Sequence, residues 1–438
     1  MPKRLVLALI LASTAPAAAQ SQPDTVGLVR RDTVGLVRTV ARAREALDDL
    51  PALWNLDARD LDWVFASDDG KAWATARRQG RDTLAAISLP GGITIANTAV
   101  TLDGRRFAMV VLPLGGDEEA RVRLLIHEAM HTKQPEQLPN PGGTEAGDGG
   151  DLLDGADGRY WLFLELRALA TAMTSADDAR RAAARDALLF RARRDSLALP
   201  AERARLDALD LAEGNPEYTA WRLAGTSSDS LAGHLRGASG RDVSWVRAVG
   251  YDTGPAYGFV LDQLAGGAWR DAQRQGARLP AILATVLGST PFTSRIDARA
   301  AIYGGVALRR TELARAAARE HRNDSLRTRF VAGPVVRLVP GALQVSFDPN
   351  GQYPLGADGT VMTNFRWAAA DGAELVAPPG ALVAANWSYV QVPAGAAALE
   401  PGTVAERRVI AGDGWTLTLP AGWRITRVGK RLEVRPPG

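Results

Sequence analysis

The chain has 438 residues, with 52 Lys and Arg against 49 Asp and Glu and a formal net charge of +3. That length accommodates two or three domains with substantial cores. The nearly balanced charge is scattered, with arginines beside acids as in Arg42-Ala43-Arg44-Glu45 and Asp178-Ala179-Arg180, so it reads as solvated helix faces and excludes a nucleic-acid-binding stripe. The absence of cysteine excludes a disulfide framework, a thiolate metal site and a lipid-modified cysteine behind a leader.

Met1 to Ala19 reads as a secretory signal: Lys3 and Arg4 give a positive start, Leu5 to Ala12 a short apolar core, and Ala17-Ala18-Ala19 a small-residue cleavage site. The expected location is periplasmic or secreted. No later stretch reaches the roughly 18 uncharged apolar residues of a spanning helix, so no membrane span is expected in the mature chain. A tandem repeat follows, DTVGLVR at 24–30 and again at 32–38, at the edge of a helix continuing through Thr39 to Leu50. Two copies cannot build a solenoid, and no function attaches to them.

From Trp54 the character is mixed, with β-leaning runs at Leu84 to Ser88, Gly92 to Leu102 and Arg106 to Leu114. The last leads through Gly115-Gly116 into a helix whose first turn holds Asp117, Glu118 and Glu119. That helix carries His127-Glu128-Ala129-Met130-His131, an H-E-x-x-H motif that uses two of the chain's 4 histidines. Residues four apart share a helix face, so two imidazoles can grip one zinc ion. Glu128, turned about 100° from His127, is placed to take a proton from a zinc-activated water. The strand ahead of the motif is expected to lie at the sheet edge over the metal, where an extended peptide could add as a further strand.

Pro135 to Gly158 is rich in Gly, Pro and Asp, with acids at Asp148, Asp151, Asp154 and Asp157. They lack the order of a calcium loop and read as a solvated loop near the site mouth. Helical periodicity resumes over Tyr160 to Met173, Ala176 to Ser196 and Ala201 to Ala224. The third segment contains Ala212-Glu213-Gly214-Asn215-Pro216-Glu217-Tyr218, which resembles the N-E-G-x-x-E-Y pattern of gluzincin metallopeptidases. The resemblance implies Glu213 as third zinc (Zn2+) ligand and Glu217 as a carboxylate orienting a histidine, with Glu217 and Glu165 as alternative ligands. Gly250-Tyr251-Asp252-Thr253-Gly254, ahead of an apolar helix from Tyr257 to Leu264, resembles the tyrosine motif of gluzincin aminopeptidases. It implies Tyr251 as oxyanion donor, with Tyr257 and Tyr218 as alternatives.

The resemblance spans Arg106 to Gly266 and departs from the family in three ways. Glu213 lies 82 residues beyond His131, Ala212 replaces the Asn before the ligand, and no G-x-M-E-N exopeptidase signature is present. The two intervening helices are then an insertion packed away from the metal, and endo or exo action stays open. Further helices are expected over Ser230 to Val249, Trp269 to Leu287 and Ser294 to Arg329, with His234 and His321 isolated on them as surface or satisfied histidines. Beyond Phe330 come seven short β-like runs, at Val335 to Val339, Leu343 to Phe347, Val361 to Trp367, Ala381 to Val392, Arg408 to Ile410, Trp415 to Leu419 and Arg424 to Val434.

The expected architecture is α+β: a signal at 1–19, a zincin-like, mostly helical metallopeptidase domain with a small N-terminal sheet at 20–329, and an all-β sandwich-like domain at 330–438. The expected function is an exported zinc peptidase acting on peptide or protein substrates. His127, His131 and Glu213 hold the metal, Glu128 is the general base and Tyr251 the oxyanion donor. The alternatives are a non-catalytic binding protein on the same scaffold and a zinc hydrolase of non-peptide substrates.

Overall fold

The computed structural model describes residues 25–67, 69–78, 80–90, 93, 95–138, 152–288, 295–339, 344–348, 351–395 and 400–437. The expected signal segment and Asp148 and Asp151 lie outside them. The described residues within Met1–Ala146 and Asp157–Val306 form one compact unit, and those within Gly147–Ala156 and Ala307–Gly438 form a second.

The first unit opens with α1 (Thr25–Leu47) and α2 (Leu50–Trp54), followed by β1 (Asp62–Ser67), β2 (Ala72–Arg78), β3 (Arg81–Ile87), β4 (Thr98–Leu102) and β5 (Arg105–Leu112). These strands form one sheet in the order β3-β2-β1-β5-β4, with β1 parallel to β5 and the other pairs antiparallel. β1 and β2 are absent from the sequence reading. Val64, Phe65 and Ala66 are consecutive and all buried, so β1 shows no alternation of apolar and polar residues. Arg44 of α1 is buried against the sheet, donating to Asp82 at 2.9 Å, Asp62 at 3.1 Å and the Leu61 carbonyl at 2.8 Å.

The strand preceding the motif is not the edge strand expected from chain order. Asp103 and Gly104, both at positive φ, turn the chain tightly so that β4 pairs outside β5 and takes the edge itself. The motif helix follows as α3 (Glu118–Lys133), capped by Asp117, whose carboxylate accepts from the Ala120 amide at 2.8 Å. Its stretch from Leu125 to Met130 is buried throughout, and Trp63 of β1 donates its indole N–H to the Leu125 carbonyl at 3.0 Å. The helix is therefore fastened to the sheet two residues before His127.

Then come α4 (Ala156–Thr174), α5 (Asp177–Asp195), α6 (Pro200–Leu223), α7 (Ser228–Arg236), α8 (Trp245–Ala265), α9 (Trp269–Arg274), α10 (Leu279–Leu287) and α11 (Ile296–Ile302). The expected helix from Ser230 to Val249 is instead two, and the second does not stop at Gly250: it runs on through Tyr251 and Pro255 to Ala265. Gly250, Gly254 and Gly258 are packing positions against α6, not breaks. A Cβ on Gly250 would lie 2.8 Å from the Leu209 carbonyl oxygen, one on Gly254 2.2 Å from Gly214 Cα, and one on Gly258 2.1 Å from the Tyr218 ring. The ascending pairs show that α6 and α8 run parallel.

In the second unit, α12 (Gly305–Arg327) continues into a π-helical turn, Thr328–Ala332, ahead of the β region. The longer segment of this unit starts at Ala307, within α12, whereas the boundary read from the sequence falls at 330. Leu326 of α12 packs on a cluster of Phe330, from the π-helical turn, with Leu355, Val361 and Leu382 from the β region. Asp154 belongs to this unit and pairs with Arg319 at 3.0 Å, so that acid of the Gly- and Asp-rich loop is spoken for.

Among the described residues the β region has two sheets. One orders Arg408–Gly412, Trp415–Leu419, Glu374–Ala377, Phe365–Ala368 and Gln344–Ser346. The other orders Gly402–Thr403, Arg424–Val428, Arg431–Arg435, Val335–Leu338, Val390–Pro393, Ala381–Val383, Thr360–Met362 and Gln352–Pro354. Three of the expected runs are each two strands broken by a turn, as at Asn364, whose φ is 49°. Trp367, Leu375 and Leu417 from the first sheet and Val336, Val392 and Val434 from the second enter a single apolar cluster.

Candidate metal centre

The site is built on α3, α6 and α8. α3 presents His127 and His131 on one face, with the rings edge to face at 4.7 Å and their Nε2 atoms 2.9 Å apart. Across from them α6 presents Glu213, whose Oε2 lies 3.3 Å from each Nε2. One donor atom from each residue falls within 4.8 Å of the other two, and the three could hold a metal ion.

Their spacing fits such an ion. Three donors at about 2.0–2.1 Å from one tetrahedral centre stand roughly 3.3 Å apart, close to the separations found here. Glu213 Oε2 is buried without hydrogen-bond geometry to any donor among the described residues, although two imidazole nitrogens face it. A carboxylate oxygen left this way is costly unless a cation completes it.

The electrostatics agree. Burial disfavours a charged His127, but the carboxylates of Glu213 and Glu217 outweigh burial and raise its pKa well above the usual imidazole range. Burial pushes Glu213 the other way, yet the two imidazoles hold its carboxyl well below the carboxylate range. Both shifts favour positive charge between the imidazoles and the carboxylates, the charge that a metal ion would supply.

Glu217, one turn beyond Glu213, falls outside that group of three: its Oε2 lies 2.7 Å from His127 Nδ1, while Nε2 of that ring faces His131 and Glu213. Glu165 is elsewhere, fully buried, accepting from Tyr257 at 2.8 Å and paired with Arg194 at 3.1 Å. Glu128 is buried, and its Oε2 has no hydrogen-bond partner among the described residues. Burial raises its pKa.

Of the three candidate tyrosines, Tyr251 alone meets the histidines, its ring stacked on His127 at 5.2 Å and 11°. Burial, and then the Glu213 carboxylate, push its phenol well above the ordinary range, so it stays a proton donor. Tyr257 is committed to Glu165 and Tyr218 to Asp262 at 2.9 Å.

Two parts of the site escaped the sequence reading. The glycines on α8 recur every fourth residue, a spacing that was available as a signal for close helix contact, and a Cβ on Gly250 would lie 3.2 Å from Glu213 Cβ. His234 is not isolated: its Nε2 lies 2.9 Å from Oδ1 of buried Asp252, the residue after Tyr251. No protein-family model, curated protein or solved structure matches the chain.

Proposed function

We propose that the chain is an exported zinc-dependent peptidase whose first unit is zincin-like and whose β region is sandwich-like. The observation that supports this most directly is the convergence of His127, His131 and Glu213, with Glu128 buried next to His127 in the chain and its Oε2 without a hydrogen-bond partner among the described residues. Two imidazoles and one carboxylate, in a chain without cysteine, are a donor set suited to zinc with a position left for water or substrate. Zinc held there supplies a Lewis acid that polarises a carbonyl oxygen and lowers the pKa of water.

The chain's own residues supply the proton handling. Glu128 Oε2, made more basic by burial, accepts the proton of the attacking water and returns it to the departing amine nitrogen. Tyr251 keeps its proton and donates it as a hydrogen bond to the oxyanion of the tetrahedral intermediate. Among the described residues β4 is the edge strand and contacts α3, and it is the strand on which an extended peptide would pair.

A mixed peptide library, incubated with the zinc-loaded protein and with its Glu128→Gln variant, tests the reading. The wild type should cleave, and the variant should retain zinc and cleave at least about 100-fold more slowly. Full activity in the variant removes Glu128 from the mechanism, and silence of the wild type removes peptides as the substrate.

A further inference from the structure

Trp221 lies two turns beyond Glu213 on α6, and its surroundings join four helices. Its indole Nε1 donates to Glu217 Oε1 at 2.8 Å, while the other oxygen of the same carboxylate meets His127 Nδ1 at 2.7 Å. Both oxygens are thereby engaged. Rotation about the terminal bond of a glutamate is otherwise soft, so a carboxylate anchored through one oxygen only would let the imidazole swing.

The indole is itself held. The Arg123 guanidinium of α3 stands 4.4 Å from its ring centroid, and Arg123 is fixed by Glu119 at 2.7 Å, which also accepts from Thr226 at 2.8 Å. His234 of α7 approaches the ring at 5.2 Å, and Asp252 of α8 holds His234 while accepting from Arg241 at 2.6 Å. Asp252 is buried and directly follows Tyr251, so the same assembly anchors the turn that carries the tyrosine.

We propose that Trp221 is a positioning residue for the metal centre: its N–H locks Glu217 so that His127 presents Nε2 to the ion, and the His234–Asp252 pair locks the indole. The role rests on the metal reading and requires no particular substrate.

The test is zinc affinity, measured by chelator competition on wild type, Trp221→Phe, Glu217→Gln and the double variant. Phenylalanine keeps an aromatic face for Arg123 and removes the N–H donor, with a smaller ring in its place. Trp221→Phe should weaken zinc binding about 10-fold or more, as losses of partners behind a ligand do. The double variant should bind no more weakly than Glu217→Gln alone, because both changes act through one carboxylate. His234→Ala, at a half-exposed position, should weaken binding a few-fold and covers the case in which Trp221→Phe fails to fold. Wild-type affinity in both Trp221→Phe and His234→Ala, beside a weakened Glu217→Gln, overturns the proposal and leaves the metal centre standing. So do independent, multiplying losses in the double variant. A wild type that binds no zinc overturns the metal reading and this role together.

Discussion

A Cβ on Gly254 would stand 2.2 Å from the Cα of Gly214, so α8 and α6 touch backbone to backbone one residue past Glu213. No side-chain rotation relieves a clash with main chain. Gly254→Ala should therefore destabilise the protein by about 1–3 kcal/mol or more and reduce the zinc it retains, since the helices must part where they carry Glu213 and Tyr251. Gly233→Ala on α7, where a Cβ meets nothing within 4 Å, is the control and should be neutral or stabilising by up to about 1 kcal/mol. Thermal unfolding and metal content of both variants check the contrast.

Removing the third donor should cost the metal. Glu213→Ala should carry no zinc after dialysis, while Glu165→Gln should carry as much as wild type, because Glu165 serves Arg194 and Tyr257. Elemental analysis of the dialysed proteins decides it, and zinc retained by Glu213→Ala would shift the ligand set.

Tyr251→Phe should keep zinc and lose roughly 100-fold in kcat with KM little changed, the pattern of a group that acts on developing charge. Steady-state kinetics on any peptide the wild type cleaves provides the measurement. A loss confined to KM would make the tyrosine a substrate contact.

The metal-free protein should show opposing pH dependences at the two ends. His127 has a pKa above its unfolded value of 6.5, so its stabilising contribution is complete below about that pH and fades as pH rises through the higher folded value. Glu213 has a pKa below its unfolded value of 4.5, so its contribution is present above that pH and fades as pH falls through the lower folded value. Zinc must displace the His127 proton, and its affinity should climb as pH rises toward the raised folded pKa of that histidine. Thermal melts of chelator-treated protein, with zinc titrations across the same range, read both trends.

Buried Arg191 donates to Asp195, Asp207 and Asp210, tying α5 to α6. Asp210 also accepts from Thr253 of α8 at 2.6 Å. Arg191→Met leaves these carboxylates short of their cation and should cost about 3–5 kcal/mol in denaturant unfolding. A change under about 1 kcal/mol would show that water replaces the guanidinium.

The half of the site that lies on α3 was legible because a helix turn converts four residues of spacing into a shared face, whatever the surroundings. Glu213 could be named only by resemblance: its distance from His131 is set by α4, α5 and the first turns of α6, whose periodicity says that they are helices but not where they return. The α6–α8 contact was hidden because glycine ordinarily reads as a break, and Gly250 and Gly254 became packing positions only with α6 opposite them. β1 was hidden by burial on both faces, and β5 was misplaced because chain order says nothing about which strand takes the edge. His234 looked solitary because its partner, Asp252, is 18 residues away on another helix.

The parallel run of α6 and α8 limits how the gene can change length. A residue gained between Gly250 and Gly258 would rotate the later part of α8 by about 100° relative to its earlier part, so the notches and Tyr251 could not both stay in register. The return segment from Gly225 to Ser244, which includes α7, carries none of those notches. Homologues should therefore vary in length between α6 and α8 and keep the count of residues from Gly250 to Gly258 unchanged.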